Sequence, residues 1–254
     1  TNVIFKNGVA ADDETGTYGY NNAYGGAIYN YAALDYAGTY YTNSPKCTLY
    51  NCTFMNNSAM YGGAIYLPYG EATISNCKFI NNSAHWFGGA IAAEDESSIS
   101  ITDSTFENCR SIDDAGGAIY AKDIISINNI YDSNHAGTKG GAVYISGSEK
   151  ATFINDTFIN NRAAGEGGAV YSYGSSNSFI PLVIFENVKF INNTGAKGGA
   201  AAVSGATFNK VTFKDNHADI GGAIYLVPVT NGKNNNIQDL TISDDSSFEN
   251  NNAP

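Results

Sequence analysis

The sequence contains little positive charge and few charged residues of any kind. Charged residues make up 15% of the chain, the formal net charge is −11, and arginine occurs only at Arg110 and Arg162. Because phosphate binding needs clustered lysine and arginine side chains, this composition argues against a nucleic-acid partner. An Asn-rich chain with so little charge is also unlike a typical cytosolic enzyme.

Long hydrophobic runs are missing as well. No stretch of 18 apolar residues occurs, so no segment of this fragment is predicted to insert into a membrane. No signal peptide is visible, and the sequence begins and ends inside repeated text. We therefore expect a piece of a longer exported protein, whose signal and anchor lie elsewhere and whose remainder continues at the C-terminal end.

Cysteine is sparse, and its spacing does not match a zinc site. The four cysteines show neither a Cys-x-x-Cys nor a Cys/His pattern. Cys52 and Cys77 occupy equivalent positions in neighbouring repeats, which leaves two alternatives open. They form a disulfide near the short end of the usual Cα separation, or they are buried free thiols that act as small hydrophobic side chains.

Carboxylates are not concentrated at any one place in the repeat. The acidic runs begin at Glu94, Asp113 and Asp244 and fall in different turns, and none has the spacing of an EF-hand or of a nonapeptide calcium repeat. We expect no cofactor and at most weak calcium binding. Catalysis needs a convergent set of acids, bases or metals, which the sequence does not supply, so we expect no enzymatic activity.

A repeat occupies nearly the whole chain. An aromatic residue is followed eight to ten residues later by Gly-Gly-Ala in every complete copy after the first. The Gly-Gly-Ala triplets begin at Gly25, Gly62, Gly88, Gly116, Gly140, Gly167, Gly198 and Gly221. The aromatic positions are Phe54, Phe79, Phe106, Tyr131, Phe158, Phe190, Phe213 and Phe248, with a looser copy at Phe5. Steps of 23 to 35 residues without helical periodicity favour the coils of a parallel β-helix, in which turns lengthen without disturbing the stack.

Two asparagine rows support this register. Asparagine recurs three residues after and three residues before most of the aromatic positions, as at Asn161 and Asn155. Equivalent residues of stacked coils lie about 4.8 Å apart. Their amides can therefore bond to each other and to the turn backbone, so we interpret both rows as turn ladders and not as ligands.

The apolar rows predict the core. Residues five and seven positions before each aromatic share one strand face, and the aliphatic residue after Gly-Gly-Ala lies in an equivalent inward row. The predicted core contains Phe54, Phe79, Phe106, Phe158, Phe190, Phe213, Ile65, Ile119, Val143 and Val170. The Ala and Tyr that flank the aliphatic residue are expected to face outward. The outward tyrosines would either contact sugars or proteins, or stabilise the strands by stacking on each other.

One row brings basic side chains together. Arg110, His135 and Arg162 each lie four residues after their aromatic, in three consecutive coils. They would line a groove for an anionic sugar or a carboxylate. The alternative is that Asp113, Asp114 and Glu166 neutralise them in surface salt bridges.

Three insertions leave the coil at the same point. They span residues 30–46, 172–182 and 226–240, each just after the Gly-Gly-Ala strand, so stacking should gather them along one edge. The predicted ligand contacts on this edge are Tyr31, Tyr36, Tyr40, Tyr41, Asn234, Asn235 and Asn236. Alternatively, the insertions have no function and are sequence changes that the protein surface tolerates.

Glycosylation sequons coincide with the repeat. They occur at Asn51, Asn56, Asn81, Asn155 and Asn192. If the protein is exported, these are candidate glycan acceptors, or they are a by-product of the repeat. The predicted sites are Asn56, Asn81 and Asn192, which are expected to face solvent better than Asn51 and Asn155.

The repeat resembles that of known surface proteins. Phe79-Ile80-Asn81-Asn82 followed by Gly88-Gly89-Ala90-Ile91 is similar to the repeat of the adhesin-like proteins of methanogenic archaea, and it also resembles that of the chlamydial polymorphic membrane proteins. The resemblance covers essentially the whole chain and implies a β-helix on a cell surface. Together with the general preference for right-handed crossovers it implies a right-handed helix.

The sequence therefore predicts one all-β domain over residues 1–254. It is a single right-handed parallel β-helix of about nine coils and about 40 Å in length, in which residues 1–46 form an irregular, capping first coil and residues 47–254 form repeat coils truncated at the C-terminal end. The predicted function is a non-enzymatic, extracellular adhesin or stalk module that binds a glycan or protein of another cell. The alternatives are a structural subunit that stacks into a fibre and a polysaccharide-processing enzyme.

Overall fold

The computed structural model shows an all-β chain. It describes residues 1–10, 23–30, 45–147, 150–173, 182–228, 239–243 and 245–254, and these residues contain strands and turns but no helix. In chain order the strands are β1 (Ile4–Lys6), β2 (Ile28–Tyr29), β3 (Lys46–Tyr50), β4 (Thr53–Met55), β5 (Ser58–Ala59), β6 (Ile65–Ser75), β7 (Lys78–Ile80), β8 (Ser83–Ala84), β9 (Ile91–Thr102), β10 (Thr105–Glu107), β11 (Arg110–Ser111), β12 (Ile119–Ile127), β13 (Ile130–Asp132), β14 (His135–Ala136), β15 (Val143–Ser146), β16 (Lys150–Ile154), β17 (Thr157–Ile159), β18 (Arg162–Ala163), β19 (Val170–Tyr173), β20 (Leu182–Glu186), β21 (Lys189–Ile191), β22 (Ala201–Val203), β23 (Ala206–Asn209), β24 (Thr212–Lys214), β25 (Ile224–Leu226), β26 (Leu240–Ile242) and β27 (Ser247–Glu249).

These strands form three parallel sheets, which are the sides of a solenoid. The aromatic sheet has nine strands in the order β1-β4-β7-β10-β13-β17-β21-β24-β27. The short sheet has five strands, β5, β8, β11, β14 and β18, and the long sheet has thirteen. In the long sheet, β6, β9 and β12 run unbroken, whereas the other coils contribute two shorter strands each. The predicted parallel β-helix is confirmed.

The predicted number of coils is slightly too high. The solenoid makes about six turns, whereas the sequence predicts about nine coils. The prediction assigns one coil to each aromatic position, including the looser copy at Phe5 and the truncated copy at Phe248. Among the described residues, five coils carry a strand in all three sheets, and the others contribute isolated bridges to the short side.

The predicted core is confirmed. The aromatic residue of every coil stacks on its neighbour, with ring centroids 4.6 to 5.2 Å apart from Phe5 to Phe248. Phe54, Phe158, Ile65 and Val143 are fully buried, as are the other residues of the predicted core. Offset stacks of this kind contribute beyond their buried area, so the column fixes the register of the aromatic sheet.

The inner asparagine row forms the predicted ladder. Each side chain accepts a hydrogen bond from the backbone N of the equivalent residue in the preceding coil and donates Nδ2 to the carbonyl oxygen of an aromatic residue. Asn161 Oδ1, for example, lies 3.0 Å from the backbone N and from Nδ2 of Asn134, and its own Nδ2 lies 2.9 Å from the carbonyl oxygen of Tyr131. Cys109 interrupts this row.

The outer asparagine row forms a second ladder at the turns. Asn155 Nδ2 donates to Asn128 Oδ1 at 3.1 Å, and Asn187 Nδ2 donates to Asn155 Oδ1 at 2.8 Å. These turn residues have φ between 50° and 58°, the left-handed region that asparagine tolerates better than other non-glycine residues. The local backbone demand therefore explains why asparagine is repeated here.

Each glycine pair closes a corner of the coil. Gly140 has a φ of 64°, and a Cβ on Gly141 would lie 1.9 Å from the carbonyl oxygen of Gly168 in the next coil. Only glycine allows this approach. The bend turns the following alanine inward, so that Ala142 joins Val143 in the core. The expectation that this alanine faces outward is therefore wrong.

All four cysteines are free thiols in the structure. The backbone N of Cys52 donates to Cys77 Sγ at 3.3 Å, and each of these two thiols donates to the backbone carbonyl two residues earlier. Of the two alternatives, the structure shows buried thiols and not a disulfide.

Candidate functional site

The predicted loop contacts lie outside the described residues. This applies to Tyr31, Tyr36, Tyr40, Tyr41, Asn234, Asn235 and Asn236. The described strands on either side locate the start and end of each insertion. The insertions separate β2 from β3, β19 from β20 and β25 from β26, all of which belong to the long sheet. They therefore leave the solenoid from the same sheet, as predicted.

The described residues before the first insertion continue the stack. β1 pairs with β4 and β2 pairs with β6, both in parallel register. These two strands therefore stack directly on the next coil of the chain. Residues 11–22 and 31–44 lie outside the described part of the chain.

The outward tyrosines form a row on the outer face of the long sheet. Tyr120 and Tyr144, and Tyr144 and Tyr171, stack with centroids 5.1 Å apart. Tyr66 and Tyr171 are buried, whereas Tyr29 is 47% exposed. Stacking therefore accounts for most of this row, and Tyr29 retains the largest accessible surface.

Residues just before the glycine pairs cover these tyrosines. This cover was not among the contacts expected from the sequence. The side chain at that position in one coil lies over the tyrosine of the next. Tyr24 lies 4.5 Å from Tyr66 between ring centroids, and Lys139 Nζ lies 4.6 Å from the ring centroid of Tyr171. Lys197 covers Tyr225 in the same way. The sequence pattern that could have revealed this cover is the row of residues that directly precede each Gly-Gly-Ala.

An aromatic patch results at the N-terminal end of this row. It consists of Tyr24, Tyr29, Tyr61, Tyr66 and Phe87, with neighbouring centroids 4.5 to 6.2 Å apart. Burial, together with a hydrogen bond to the nearby Glu94 carboxylate, raises the pKa of Tyr66 well above its ordinary value. The patch lies directly beside the point where the first insertion leaves β2.

The predicted basic column is assembled in register on the short sheet. Arg110 on β11 pairs with His135 on β14, which pairs with Arg162 on β18. Both arginines are exposed and His135 is half-buried. Partial burial and the two flanking guanidinium groups lower the pKa of His135, so the imidazole is mainly neutral at pH 7.

The predicted acidic partners bind elsewhere. Asp113 pairs with His85 Nε2 at 3.1 Å, and Asp114 accepts a hydrogen bond from Thr138. Glu166 lies between Lys139 and Lys197, with Nζ–Oε distances of 3.6 and 3.1 Å. The account in which these acids neutralise the basic column is therefore wrong, because each pairs instead with a residue of a neighbouring coil.

A groove of about 840 Å³ lies on the outer face of the long sheet, across β6, β9, β12 and β16. Its lining combines hydroxyl groups, as at Thr73, Ser100 and Thr152, with the exposed aliphatic side chain of Ile125. Glu71 at its margin pairs with Lys46 at 3.0 Å. This groove could not be identified from the repeat pattern. Its position depends on which coils have one long uninterrupted strand in the long sheet, as at β6, β9 and β12.

The candidate glycan acceptors all lie at exposed turns. Asn56, Asn81 and Asn192 are exposed, but Asn51 and Asn155 are exposed as well. The expected difference in exposure between the two sets is therefore wrong, because both rows occupy left-handed turn positions outside the core.

One carboxylate is sealed inside the solenoid. Asp156 is fully buried and accepts a 2.6 Å hydrogen bond from the backbone N of Asn129. Its other oxygen has no hydrogen-bond partner among the described atoms. Burial raises the pKa of Asp156 to about 7, although the bond from Asn129 opposes this shift. It lies inside the core, away from any surface at which a substrate could bind.

The described residues show neither a metal site nor a membrane-spanning helix. No group of three or more His, Cys, Asp or Glu side chains there is arranged to hold a metal ion, and the prediction of weak calcium binding stays a prediction. No helix in that part of the chain is long and apolar enough to span a membrane.

Comparison with known protein families supports the fold and part of the resemblance. The model for the right handed beta helix region matches residues 20–181, which is more than half of the chain. The Chlamydia polymorphic membrane protein repeat matches residues 210–226. No curated protein and no solved structure shows significant similarity. The resemblance to archaeal adhesin-like proteins stays a prediction.

The family match and the three parallel sheets agree on a parallel β-helix, and the matching family model is that of a right-handed helix. The chain belongs to the right-handed beta helix family.

Proposed function

We propose that this chain is a non-enzymatic adhesin or stalk module on a cell surface, which binds a glycan or protein of another cell through the edge that carries the insertions. The observation that carries the proposal is the position of the aromatic patch. Tyr29, 47% exposed, is the last residue of β2 and directly precedes the Tyr-rich first insertion. Tyrosine rings supply contact area at low entropic cost.

The rod geometry supports multivalent contact. The strands that bracket the insertions occupy separate rungs of one sheet, so bound groups would be held at fixed separations along the axis. The match to a Chlamydia polymorphic membrane protein repeat supports a surface-exposed, extracellular location. From the residue pattern of the repeat, we further infer that the source organism is a methanogenic archaeon.

A deletion of the first insertion tests this function. Residues 31–44 are replaced by a short Gly/Ser linker, and the variant is compared with the intact chain on a glycan array and on whole cells. We expect the variant to lose most cell binding, because the contact tyrosines are removed while the strands on either side remain.

The matched control replaces residues 174–181, which connect β19 and β20 of the same sheet and include none of the proposed contacts. That control should retain binding, and far-UV circular dichroism should show a β-sheet spectrum for both variants. Equal binding by the intact chain and the 31–44 variant would remove the Tyr-rich insertion from the proposal. No binding by any of them would leave only the scaffold role.

The sequons supply a separate expectation. In a glycosylating host, Asn56, Asn81 and Asn192 should carry glycans, and so should Asn51 and Asn155, because all five lie at exposed turns. Intact-mass measurement of natively expressed protein should show added mass that Asn-to-Gln variants lose one site at a time. An unmodified mass contradicts it.

The structural-subunit alternative rests on the edge strands. In the aromatic sheet β1 and β27 each pair on one side only among the described strands. Size-exclusion chromatography and electron microscopy at rising concentration distinguish the two functions. Filaments that disappear on removal of residues 241–254 favour a fibre subunit, whereas a monodisperse monomer favours the adhesin.

The enzymatic alternative has its own test. Incubation with pectin-like and glycosaminoglycan chains should leave their length distribution unchanged. Shortened chains in the reaction with the intact protein, and none with Arg110→Ala, would show that the protein is an enzyme.

A further inference from the structure

The basic column is the centre of a longer row of polar side chains. Residues four positions after each aromatic pair in register across the short sheet and its isolated bridges. We call this row the polar track, and it comprises Ser58, Ser83, Arg110, His135, Arg162, Thr194, His217 and Asn252. None of its members is buried, and every side chain can form hydrogen bonds.

The positive charge of the track is not neutralised. Within the described part of the chain, neither Arg110 nor Arg162 forms an ion pair with a carboxylate. This is unexpected in a chain of net charge −11 that contains no other arginine. The acids that were predicted to neutralise them pair instead with His85, Thr138 and two lysines, so both planar guanidinium groups are available for charge-assisted hydrogen bonds.

The spacing of the track suits a linear ligand. Eight rungs make seven steps of about 4.8 Å, or about 34 Å along the solenoid axis, and the two arginines lie two steps, about 10 Å, apart. Hydroxyl side chains flank the charged centre on both sides, at Ser83 and at Thr194. A ligand that carries anionic groups about 10 Å apart and hydroxyl groups on either side of them would match both features.

We propose that the polar track binds a linear anionic glycan that lies along the solenoid axis, with its carboxylate or sulfate groups on Arg110 and Arg162 and its hydroxyl groups on the flanking rungs. This site is on the short sheet, whereas the insertions leave from the long sheet. It therefore adds a ligand class and a second surface to the proposed adhesin, and it does not depend on the Tyr-rich insertion.

Direct titration of the intact chain tests the proposal. The probes are a polyuronate oligosaccharide and a sulfated oligosaccharide, each long enough to span the track, and an acidic peptide of similar charge, all at physiological ionic strength. We expect one or both glycans to bind more tightly than the peptide. Arg110→Gln combined with Arg162→Gln should weaken glycan binding by about tenfold or more, because two charge-assisted contacts are lost.

The matched control removes the same charge from another face. Lys78→Gln combined with Lys189→Gln acts on exposed residues of β7 and β21 in the aromatic sheet. It should change glycan affinity by less than about twofold.

Three results would overturn the proposal: equal losses in both double variants, tighter binding of the peptide than of either glycan, or no glycan binding at all. The 31–44 variant keeps the track, so it should bind the anionic glycan as tightly as the intact chain. Failure of the cell-binding assay alone therefore leaves this proposal standing, and failure of the titration alone leaves the insertion-edge proposal standing.

Discussion

Replacing Asn161 with alanine is expected to lower the free energy of unfolding by about 3–5 kcal/mol. The side chain is fully buried and forms four hydrogen bonds, to the backbone N and Nδ2 of Asn134, to the carbonyl oxygen of Tyr131 and to Asn193 Oδ1. Alanine leaves the backbone N of Asn134 buried without a partner, and each such group costs about 1–3 kcal/mol. Urea unfolding followed by far-UV circular dichroism measures the loss.

The chain offers a matched variant in the opposite direction. Cys109 occupies the same row between Asn82 and Asn134, so Cys109→Asn should complete the ladder and raise the free energy of unfolding by about 1 kcal/mol. If Asn161→Ala unfolds at the same urea concentration as the parent chain, the ladder does not hold the coils in register.

Replacing Asp156 with asparagine is expected to stabilise the fold by about 2–4 kcal/mol at pH 8. The carboxyl pKa is raised from 3.8 to about 7 in the folded chain, so the folded state binds the proton more tightly than the unfolded state. Stability of the parent therefore falls as pH rises from about 4 to about 7, and the full penalty persists above pH 7. Asparagine does not ionise and keeps an oxygen for the backbone N of Asn129, as Asn129 itself does for Ser104.

A pH series of urea unfolding curves measures this effect. The advantage of Asp156→Asn over the parent should be near zero at pH 4 and should grow to its full size by pH 8. Asp156→Val, which copies Val188 and Val211 in the same row, should gain less because Asn129 then loses its acceptor. Asp215→Asn removes an exposed charge and should change stability by less than about 0.5 kcal/mol. A constant difference between Asp156→Asn and the parent at all pH values would contradict a buried, titrating carboxyl group.

Rows set by the repeat could be predicted from the sequence. The aromatic stack, both asparagine ladders and the in-register column of Arg110, His135 and Arg162 follow once equivalent residues are placed one coil apart, because the register of stacked strands is periodic. The inward position of Ala142 could not be predicted in this way. It depends on the sharp bend at the glycine pair, which interrupts the strict alternation of strand faces.

Contacts between residues at different positions of the repeat could not be predicted either. Asp113 lies near Arg110 in the sequence but pairs with His85 of the preceding coil, and Glu166 bridges two lysines of neighbouring coils. Which neighbour a flexible side chain selects depends on its distance across the stack, and the repeat pattern does not encode that distance. The cover of Tyr66 by Tyr24 is missed for the same reason.

In-register stacking of one repeat per turn is the claim on which both proposed binding surfaces rest. Spin labels on Ser58→Cys with Thr194→Cys, and separately on Ser83→Cys with His217→Cys, test it by double electron–electron resonance in a Cys47→Ser background. Each pair is separated by five steps of the polar track, so both should give a narrow distribution centred near the same distance, about 24 Å before allowance for the label arms. Two distances that differ by about 5 Å or more, which is one rung, or a broad distribution for either pair would contradict the register and with it the polar track.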